Sequence, residues 1–432
     1  RPSRWQRGSR IQPWSCPVRG GFTQYSICLN AVLLFEIMPQ TIVSGMNANL
    51  GPWAKSFPAA SWGLSHEEFL STSPRLSHFS TPVLSIDSAA ATSNVALMAE
   101  WMSERGFELA PHGKTTMAPK LWQQVLDAGA WGITLATPWQ VQVARSVGVK
   151  RVLLANEFVD PVALGWLGAE LADPDFEFLC WVDSIEAVDA MRAGLRRAAR
   201  PVDVVVELGG ARTGARSIRE ALAVAAAAEA APELRLVGVG GYEGAMGGSR
   251  SAKDLAAVQQ YLSDLVELSA AIHWRQQPIV TAGGSAFFDL VAEALTPLVG
   301  AATVIVRSGA YQLHDAGFYR GITPLPGLRS AIHGWSRVLS RPEPELALLD
   351  GGKRDFPYDL DMPRSVHGPL SKMNDQHGFL PLAPTADVSV GDVLRLDLSH
   401  PCTAMDKWRL VPVIDSADAS DPEVIDLVET FF

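Results

Sequence analysis

The segment FEFLCWVDSIEAVDAMRAGLRRAARPVDVVVEL, residues 176–208, decides the fold class because it runs from one strand through a helix into a second strand. Residues 176–183 and 202–208 are short runs rich in apolar and β-branched side chains, which favour buried strands. Residues 185–199 have the apolar spacing of an amphipathic helix. Two strands joined by a helix of that length predict a β-α-β unit and a parallel sheet.

The same alternation recurs along the chain from about residue 81. Further strand-like runs are 82–87, 107–112, 132–137, 151–156, 235–242, 278–283 and 303–309. Eight or nine such units fit a closed (β/α)8 barrel, although an open doubly wound sheet stays possible. No G-x-G-x-x-G follows the first strand, which counts against a dinucleotide-binding sheet. The fold class is therefore α/β, with the barrel as the favoured architecture.

Changes in composition and in the spacing of apolar residues divide the chain into three predicted segments. Residues 58–325 form the barrel, and residues 326–432, where short strands are separated by Pro, Gly and Asp, form a smaller, mostly β domain. Residues 1–57 are expected to be a disordered leader of doubtful authenticity. Its apolar stretch at 27–38 resembles a secretion signal, but Glu36 interrupts it and no clear cleavage pattern follows. We favour a translation start near Met38 or Met46.

Composition excludes several classes of protein. The 36 basic and 46 acidic side chains give a net charge of −10, which argues against a nucleic-acid partner. No apolar run reaches the roughly 18–20 residues of a membrane-spanning helix, so no membrane partner is expected. The 4 cysteines match neither a zinc ribbon nor a small disulfide scaffold. We therefore expect a cytoplasmic protein.

Two strand ends carry groups that can act together on the rim of a barrel, where active sites of this fold lie. Lys114 follows the strand at 107–112, and a lysine in an apolar setting can have a lowered pKa and form an imine. The turn at 283–285 offers backbone N–H groups and a hydroxyl to a phosphate. Taken singly, each is also typical of an ordinary loop lysine or glycine turn. Together they are what pyridoxal phosphate requires.

The run LAPHGKTT at 109–116 resembles the lysine segment of the type III pyridoxal phosphate enzymes, the alanine-racemase-like barrels. It is most similar to the branch that holds D-serine dehydratase, D-threo-3-hydroxyaspartate dehydratase and D-threonine aldolase. Segments that agree with this branch in order are VVVELGGARTG, GVGGYEGAM, TAGGSAFFD, VRSGAYQLHD and VGDVLRLDLSHPC. The resemblance spans roughly residues 80–415 and implies a homodimer.

The resemblance also implies roles for single residues. Lys114 would hold the cofactor as a Schiff base and act on the Cα proton of the substrate. Arg212 would approach the 3′ oxygen of the cofactor, and Tyr242 would line it. The residues implied for the phosphate are Gly283, Gly284, Ser285, Gly309 and Ala310.

The segment Ser399-His400-Pro401-Cys402 bears on the reaction. One His and one Cys are a poor metal site by themselves, because structural zinc has four ligands. The dehydratases that this segment resembles carry a His-x-Cys zinc pair, whereas the aldolases carry His-x-Asp with Mg²⁺ or Mn²⁺. Thiolate favours zinc and carboxylate favours harder ions. His400 and Cys402 therefore point to Zn²⁺, with Mn²⁺ or Mg²⁺ as alternatives.

The expected function is a β-elimination that converts a small D-3-hydroxy amino acid to a 2-keto acid and ammonia. The main alternative is a D-threonine-type aldolase that releases glycine and an aldehyde. A racemase would need a second base, and Tyr358 lies in a loop-like segment that offers none convincingly. A non-catalytic cofactor carrier would lack residues 326–432. His377 is expected either near the metal or in a structural role, and Thr116 stands where the family usually has His, which leaves the substrate open.

Overall fold

The computed structural model describes residues 49–432. These residues form one parallel sheet of eight strands and one mostly antiparallel sheet of ten. Among them, no helix is both long enough and apolar enough to cross a bilayer. The apolar stretch at 27–38 lies outside the described residues.

The first described segment contains helix α1 (His66–Ser71) and strand β1 (Val83–Asp87). Leu50 and Phe57 are buried in one apolar cluster with Phe69 and Phe79. The rings of Phe57 and Phe79 pack edge to face with centroids 4.9 Å apart. The prediction of a disordered leader is therefore wrong for residues 49–57, because burial of these side chains fixes the segment.

Eight parallel strands form the curled sheet: β2 (Glu108–Leu109), β3 (Ile133–Leu135), β4 (Arg151–Glu157), β5 (Glu177–Val182), β6 (Val202–Glu207), β7 (Leu234–Gly240), β8 (Ile279–Ala282) and β9 (Thr303–Val306). Their order in the sheet is β2-β9-β8-β7-β6-β5-β4-β3. Backbone N–H groups of Trp131 and Thr134 donate to the carbonyls of Leu109 (2.7 Å) and Pro111 (2.9 Å), which closes the sheet between β2 and β3. The predicted barrel is confirmed.

Helices surround this barrel: α2 (Ser88–Ser103), α3 (Pro119–Asp127), α4 (Pro138–Ser146), α5 (Pro161–Glu170), α6 (Ile185–Gly194), α7 (Ile218–Glu229), α8 (Ala252–Ala271) and α9 (Phe288–Leu295). Several begin at a capping side chain, as where Ser184 accepts a hydrogen bond from the N–H of Ala187. The interior of the barrel is filled by a separate apolar cluster that includes Leu179, Trp181 and Ile305. The barrel is thus a packed core with functional groups only at its rim.

A short helix, α10 (Phe318–Ile322), leads into the antiparallel region, which also holds helix α11 (Pro401–Met405). Its strands are β10 (Ile332–Glu343), β11 (Leu346–Leu349), β12 (Arg364–Ser365), β13 (Gly368–Pro369), β14 (Lys372–Met373), β15 (Gly378–Pro381), β16 (Val393–Asp397), β17 (Leu410–Ile414) and β18 (Val424–Glu429). The predicted smaller, mostly β C-terminal domain is therefore present.

Strand β1 does not belong to the barrel. It pairs antiparallel with β10, with Val83 opposite Trp335, and parallel with β17, with Ile86 opposite Val413. All five residues of β1 are buried, because it is a central strand of the β domain. The expectation that residues 82–87 form the first barrel strand is thus wrong, and Lys114 follows the first strand of the barrel, not the second.

Candidate active site

A cavity of about 320 Å³ opens at the carboxyl ends of the barrel strands, where the β domain covers the rim. It brings together residues that lie nearly 300 positions apart in sequence. Nine of the ten predicted site residues line it: Lys114, Arg212, Tyr242, Gly284, Ser285, Gly309, Ala310, His400 and Cys402. Gly283 lies directly behind this lining. The roles assigned to these residues stay predictions, but their convergence on one cavity is a property of the fold.

Lys114 lies in a 3-10 turn, Gly113–Thr115, that follows β2. The indole N–H of Trp122 donates to the carbonyl of Gly113 at 3.0 Å and holds this turn in place. A Cβ on Gly113 would lie 2.7 Å from the Trp122 indole nitrogen, so the turn admits only glycine there. Lys114 therefore has a fixed backbone and a side chain directed at the cavity.

The charge on Lys114 is disfavoured by its surroundings. Burial lowers the pKa of its amine below the ordinary value, and the guanidinium groups of Arg212 and Arg307 lower it further, while Cys402 opposes them. A lowered pKa increases the fraction of neutral amine near pH 7, and the neutral amine is the nucleophile and the base.

Arg307 is a cation that the sequence analysis did not single out. It is buried beneath the cavity, donates to Thr281 Oγ1 (2.5 Å) and to the Gly241 carbonyl (2.6 Å), and stacks over the Trp181 ring. Burial lowers its pKa, and the charge of Glu243 counters that effect. The sequence signal was an arginine that directly follows the apolar strand TVIV.

The phosphate site differs from the prediction in its donors. The backbone N–H groups of Gly283 and Gly284 donate to the two carboxylate oxygens of Glu243, at 2.9 and 2.6 Å. Glu243 is fully buried, and its carboxylate already accepts hydrogen bonds from both of these N–H groups. The assignment of Gly283 and Gly284 as phosphate donors is therefore not supported, because a phosphate there would compete with a carboxylate for the same groups.

The remaining groups that could bind an anion are the Ser285 hydroxyl, in the turn after β8, and the backbone at Gly309 and Ala310, after β9. The N–H of Ala310 donates to Ser285 Oγ at 3.3 Å, which joins the turns after β8 and β9. At Gly309, a Cβ would lie 2.6 Å from the carbonyl oxygen of His112, so no side chain fits at this position and the backbone stays accessible to the cavity. Ser285, Gly309 and Ala310 thus form a small cradle that fits an anion, in the same cavity as Lys114.

Arg212 and Tyr242 border the same cavity. The guanidinium of Arg212 lies 4.8 Å from the centroid of the Tyr242 ring. Burial raises the pKa of the Tyr242 phenol, and Glu243 raises it further. An amine, a free guanidinium and an anion cradle around one cavity are the donor set that pyridoxal phosphate requires, so the residues present fit this cofactor.

His400 and Cys402 lie on the β-domain side of the cavity. His400 has a left-handed backbone (φ 54°) just before α11, a conformation that few side chains other than glycine adopt without strain. Its Nδ1 lies 2.5 Å from Asp359 Oδ2. Cys402 Sγ lies 3.4 Å from Thr115 Oγ1, so the pair sits beside the residue that follows Lys114.

The protonation states of this pair are coupled. The hydrogen bond to Cys402 raises the pKa of His400 to about 9; burial opposes the shift, and the negative charges of Cys402 and Asp359 add to it. Burial raises the pKa of Cys402, but its hydrogen bonds with His400 and Thr115 outweigh that effect and leave the pKa below its usual value. A thiolate and an imidazole nitrogen that face each other are metal-ligand atoms, and an Asp359–His400 contact is the support that metal-bound histidines commonly have.

Two carboxylates that support this pair were missed in the sequence. Asp359 contacts His400 as described and also accepts from the Thr403 hydroxyl at 2.8 Å. Asp315 is fully buried, and its Oδ2 accepts from the N–H of His400 at 3.0 Å. Asp315 is the last residue of the segment VRSGAYQLHD. Its carboxylate at the end of this segment was the only feature of the sequence that could have drawn attention to it.

Two residues weighed in the sequence analysis, His377 and Tyr358, lie elsewhere, as does Tyr311 in the segment SGAY. His377 is exposed in the turn between β14 and β15, so a role near the metal pair is not supported. Tyr311 is buried against the barrel and does not line the cavity. Tyr358 is exposed and stacks with Lys353.

A cluster of three acidic side chains at the barrel rim was also not predicted from the sequence. Single carboxylate oxygens of Glu157, Asp183 and Glu207, at the ends of β4, β5 and β6, lie within 4.8 Å of one another. Burial and the neighbouring Glu157 raise the pKa of Glu207 to about 9. This shift favours the protonated form of Glu207 near pH 7.

Comparison with known families matches this architecture. Residues 86–301 match the family described as "Alanine racemase, N-terminal domain". Residues 331–414 match the family described as "Putative serine dehydratase domain". Because the first match covers half of the chain, the protein belongs to the alanine racemase N-terminal domain family, the fold-type III group.

Individual relatives are lyases. A 3-hydroxy-D-aspartate aldolase from Paracoccus denitrificans (strain Pd 1222) is 26% identical over 347 residues, which cover 75% of this chain and 86% of the relative. A crystal structure of D-threonine aldolase from Filomicrobium marinum has a TM-score of 0.73 at 23% identity and covers 82% of this chain and 96% of its own. A cysteine-to-alanine mutant of D-threo-3-hydroxyaspartate dehydratase in the metal-free form has a TM-score of 0.69 at 22% identity, with 83% and 99% covered.

Proposed function

We propose that the protein is a pyridoxal phosphate- and zinc-dependent lyase that eliminates the β-hydroxyl of a D-3-hydroxy amino acid and yields a 2-keto acid and ammonia. One observation carries the proposal. Cys402 Sγ lies 3.4 Å from the hydroxyl of Thr115, the residue next to Lys114. A base for the Cα proton and ligands for an ion at the β-oxygen therefore lie on adjacent parts of one cavity.

Pyridoxal phosphate, when bound, withdraws the electron pair that remains at Cα after its proton is removed. The residues of this chain would hold it at three points: the amine of Lys114 at the aldehyde carbon, Arg212 at the ring oxygen, and the Ser285–Ala310 cradle at the phosphate. Because the pKa of Lys114 is lowered, chiefly by burial, its amine is available to accept the Cα proton near neutral pH.

His400 and Cys402 would hold the metal ion. A divalent ion there supplies Lewis-acid chemistry to the β-oxygen of the substrate. Asp359 at Nδ1 orients His400 so that its other ring nitrogen faces Cys402. The thiolate favours Zn²⁺ over Mn²⁺ or Mg²⁺ because it is a soft ligand.

The second candidate is an aldolase that cleaves the Cα–Cβ bond and releases glycine and an aldehyde. The names of two relatives favour it, since one is a 3-hydroxy-D-aspartate aldolase and one a D-threonine aldolase. Cys402 favours elimination, because in the resembling aldolases a carboxylate stands at this position.

The deciding experiment identifies the products from D-serine, D-threonine and D-threo-3-hydroxyaspartate. We expect keto acid and ammonia, no turnover of the L-enantiomers, loss of activity with chelator, and better recovery with Zn²⁺ than with Mg²⁺. Cys402→Ala should lose activity but keep the visible absorption of the bound cofactor, and Cys402→Asp should shift the metal preference toward Mn²⁺ or Mg²⁺. Glycine as the main product, or full activity without metal, contradicts the dehydratase.

The family resemblance supports a homodimer. We propose this assembly, which size-exclusion chromatography with light scattering measures. The composition of the sequence supports a cytoplasmic location, which we also propose, and fractionation of the source cells tests it.

A further inference from the structure

Tyr319 is a polar side chain on the cavity wall that neither the motifs nor the cofactor accounts for. It belongs to α10, in the connection between barrel and β domain, and lines the same cavity as Lys114 and Cys402. Within the part of the chain that the structure describes, its phenol oxygen forms no hydrogen bond to another residue. A half-buried hydroxyl without a protein partner is available to a ligand in the cavity.

The backbone of Tyr319 is tied to the metal pair. One buried carboxylate, Asp315, accepts from the N–H of Tyr319 through Oδ1 (2.8 Å) and from the N–H of His400 through Oδ2 (3.0 Å). The N–H of Phe318 donates to Ser399 Oγ at 3.2 Å, which adds a second link between the two segments. Tyr319 and His400 therefore hold fixed positions relative to each other.

We propose that the Tyr319 hydroxyl donates a hydrogen bond to the β-oxygen of the substrate as this oxygen leaves, so that Tyr319 is a catalytic residue of the elimination. The inference rests on the proposed function. The guanidinium groups of Arg212 and Arg307 belong to the barrel side, which suits the substrate carboxylate, whereas the β-oxygen belongs beside His400 and Cys402. Tyr319 is a neutral donor on that side, because a phenol is protonated at pH 7 and burial raises the pKa of the Tyr319 hydroxyl further.

The step balances as follows in atoms and electrons. The Cα proton moves to Lys114 Nζ, and the electron pair of the Cα–H bond becomes the second bond between Cα and Cβ. The Cβ–O bond breaks with its electron pair on oxygen, and the oxygen leaves as hydroxide that is then protonated to water. A donor at this oxygen stabilises the charge that develops on it.

The same hydrogen bond distinguishes elimination from carbon–carbon cleavage. Aldol cleavage requires a group that removes the proton of the β-hydroxyl, and a protonated phenol cannot accept it. A donor at the β-oxygen therefore assists only the reaction in which this oxygen departs.

The test compares two leaving groups in the holoenzyme. Tyr319→Phe removes only the hydroxyl, and we expect kcat for D-serine to fall by about 100- to 1000-fold, the range for loss of one charge-stabilising donor. With β-chloro-D-alanine, whose chloride leaves without a donor, we expect less than a 3-fold change, roughly the noise of such comparisons. The visible absorption of the cofactor and the zinc content should equal those of the unmodified protein.

The matched control is Tyr358→Phe, which removes a hydroxyl from an exposed tyrosine of the β domain and should leave both rates unchanged. Equal losses with D-serine and β-chloro-D-alanine, or no loss with D-serine, overturn the role of Tyr319. If the unmodified enzyme forms no keto acid from D-serine, D-threonine or D-threo-3-hydroxyaspartate, the proposed function itself is overturned, and this step with it.

Discussion

The two walls of the cavity differ in the sign of the charge that surrounds their titratable groups. On the barrel wall, burial together with the guanidinium groups of Arg212 and Arg307 lowers the pKa of Lys114. On the β-domain wall, the hydrogen bond to Cys402 raises the pKa of His400 to about 9, and Asp359 contributes to this shift. One wall therefore disfavours the charged form of its amine, while the other favours the charged form of its histidine.

The largest effect is expected when the amine of Lys114 is removed from the barrel wall. Lys114→Ala should abolish the visible absorption of the bound cofactor and reduce the rate by about 10⁴-fold or more, because the nucleophile and the Cα base are one group. Absorption spectra and single-turnover assays measure both effects. Lys253→Ala, an exposed lysine on α8, should keep colour and rate. A yellow Lys114→Ala protein with ordinary turnover would exclude the assigned role.

A smaller effect is expected when the anionic support of the other wall is neutralised. Asp359→Asn removes the charge at His400 Nδ1, and we expect zinc affinity to fall by about 10- to 100-fold, as for other partners of metal-bound histidines. Competition with a chromophoric chelator measures the affinity. The cofactor absorption should stay unchanged, as should zinc affinity in Asp375→Asn, an exposed control. Unaltered zinc affinity in Asp359→Asn would separate Asp359 from the metal site.

The smallest effect concerns stability and lies on the barrel rim. The pKa of Glu207 is raised to about 9 in the folded protein, chiefly by burial, from an ordinary value of 4.5. The folded state thus keeps a proton that the unfolded chain has lost, so this group's contribution to stability is full below about pH 4.5 and declines as pH rises toward 9. Glu207→Gln should remove this decline.

Melting temperatures between pH 5 and 9 test that sign. The advantage of Glu207→Gln over the unmodified protein should grow with pH and reach roughly 2 °C or more near pH 8. Glu229→Gln, at an exposed position of α7, should show no such trend. An advantage that shrinks as pH rises contradicts the assigned pKa shift.

The sequence predicted the features that depend on local pattern or on one motif. Strand and helix periods predicted the barrel, and helix α6, expected at 185–199, is found at Ile185–Gly194, shortened where Pro201 and the next strand require a turn. The motifs around Lys114, His400 and Cys402 identified residues that meet in one cavity.

Features that depend on partners distant in sequence could not be predicted. The run VLSID has the same pattern in a barrel strand as in a strand of the β domain, so its sheet was assigned wrongly. The turn at Gly283 looked free until the fold placed Glu243 against its N–H groups. Asp315 and Asp359 act on His400 across long stretches of chain, and neither spacing nor composition indicates such contacts.

The position of β1 has a consequence for how the protein is made. During synthesis, β1 leaves the ribosome before the barrel, but Ile86 must wait for Ile332 and Val413 before it has neighbours on both sides. The barrel strands are complete by Val306, so the barrel, which carries Lys114 and the other residues predicted to bind the cofactor, can fold while β1 is still unpaired. The cavity wall that carries His400 and Cys402 forms only when the last strands emerge, and a chain truncated before β17 would present an apolar strand that is open to aggregation. Nascent chains of increasing length should therefore gain affinity for pyridoxal phosphate before they gain affinity for zinc.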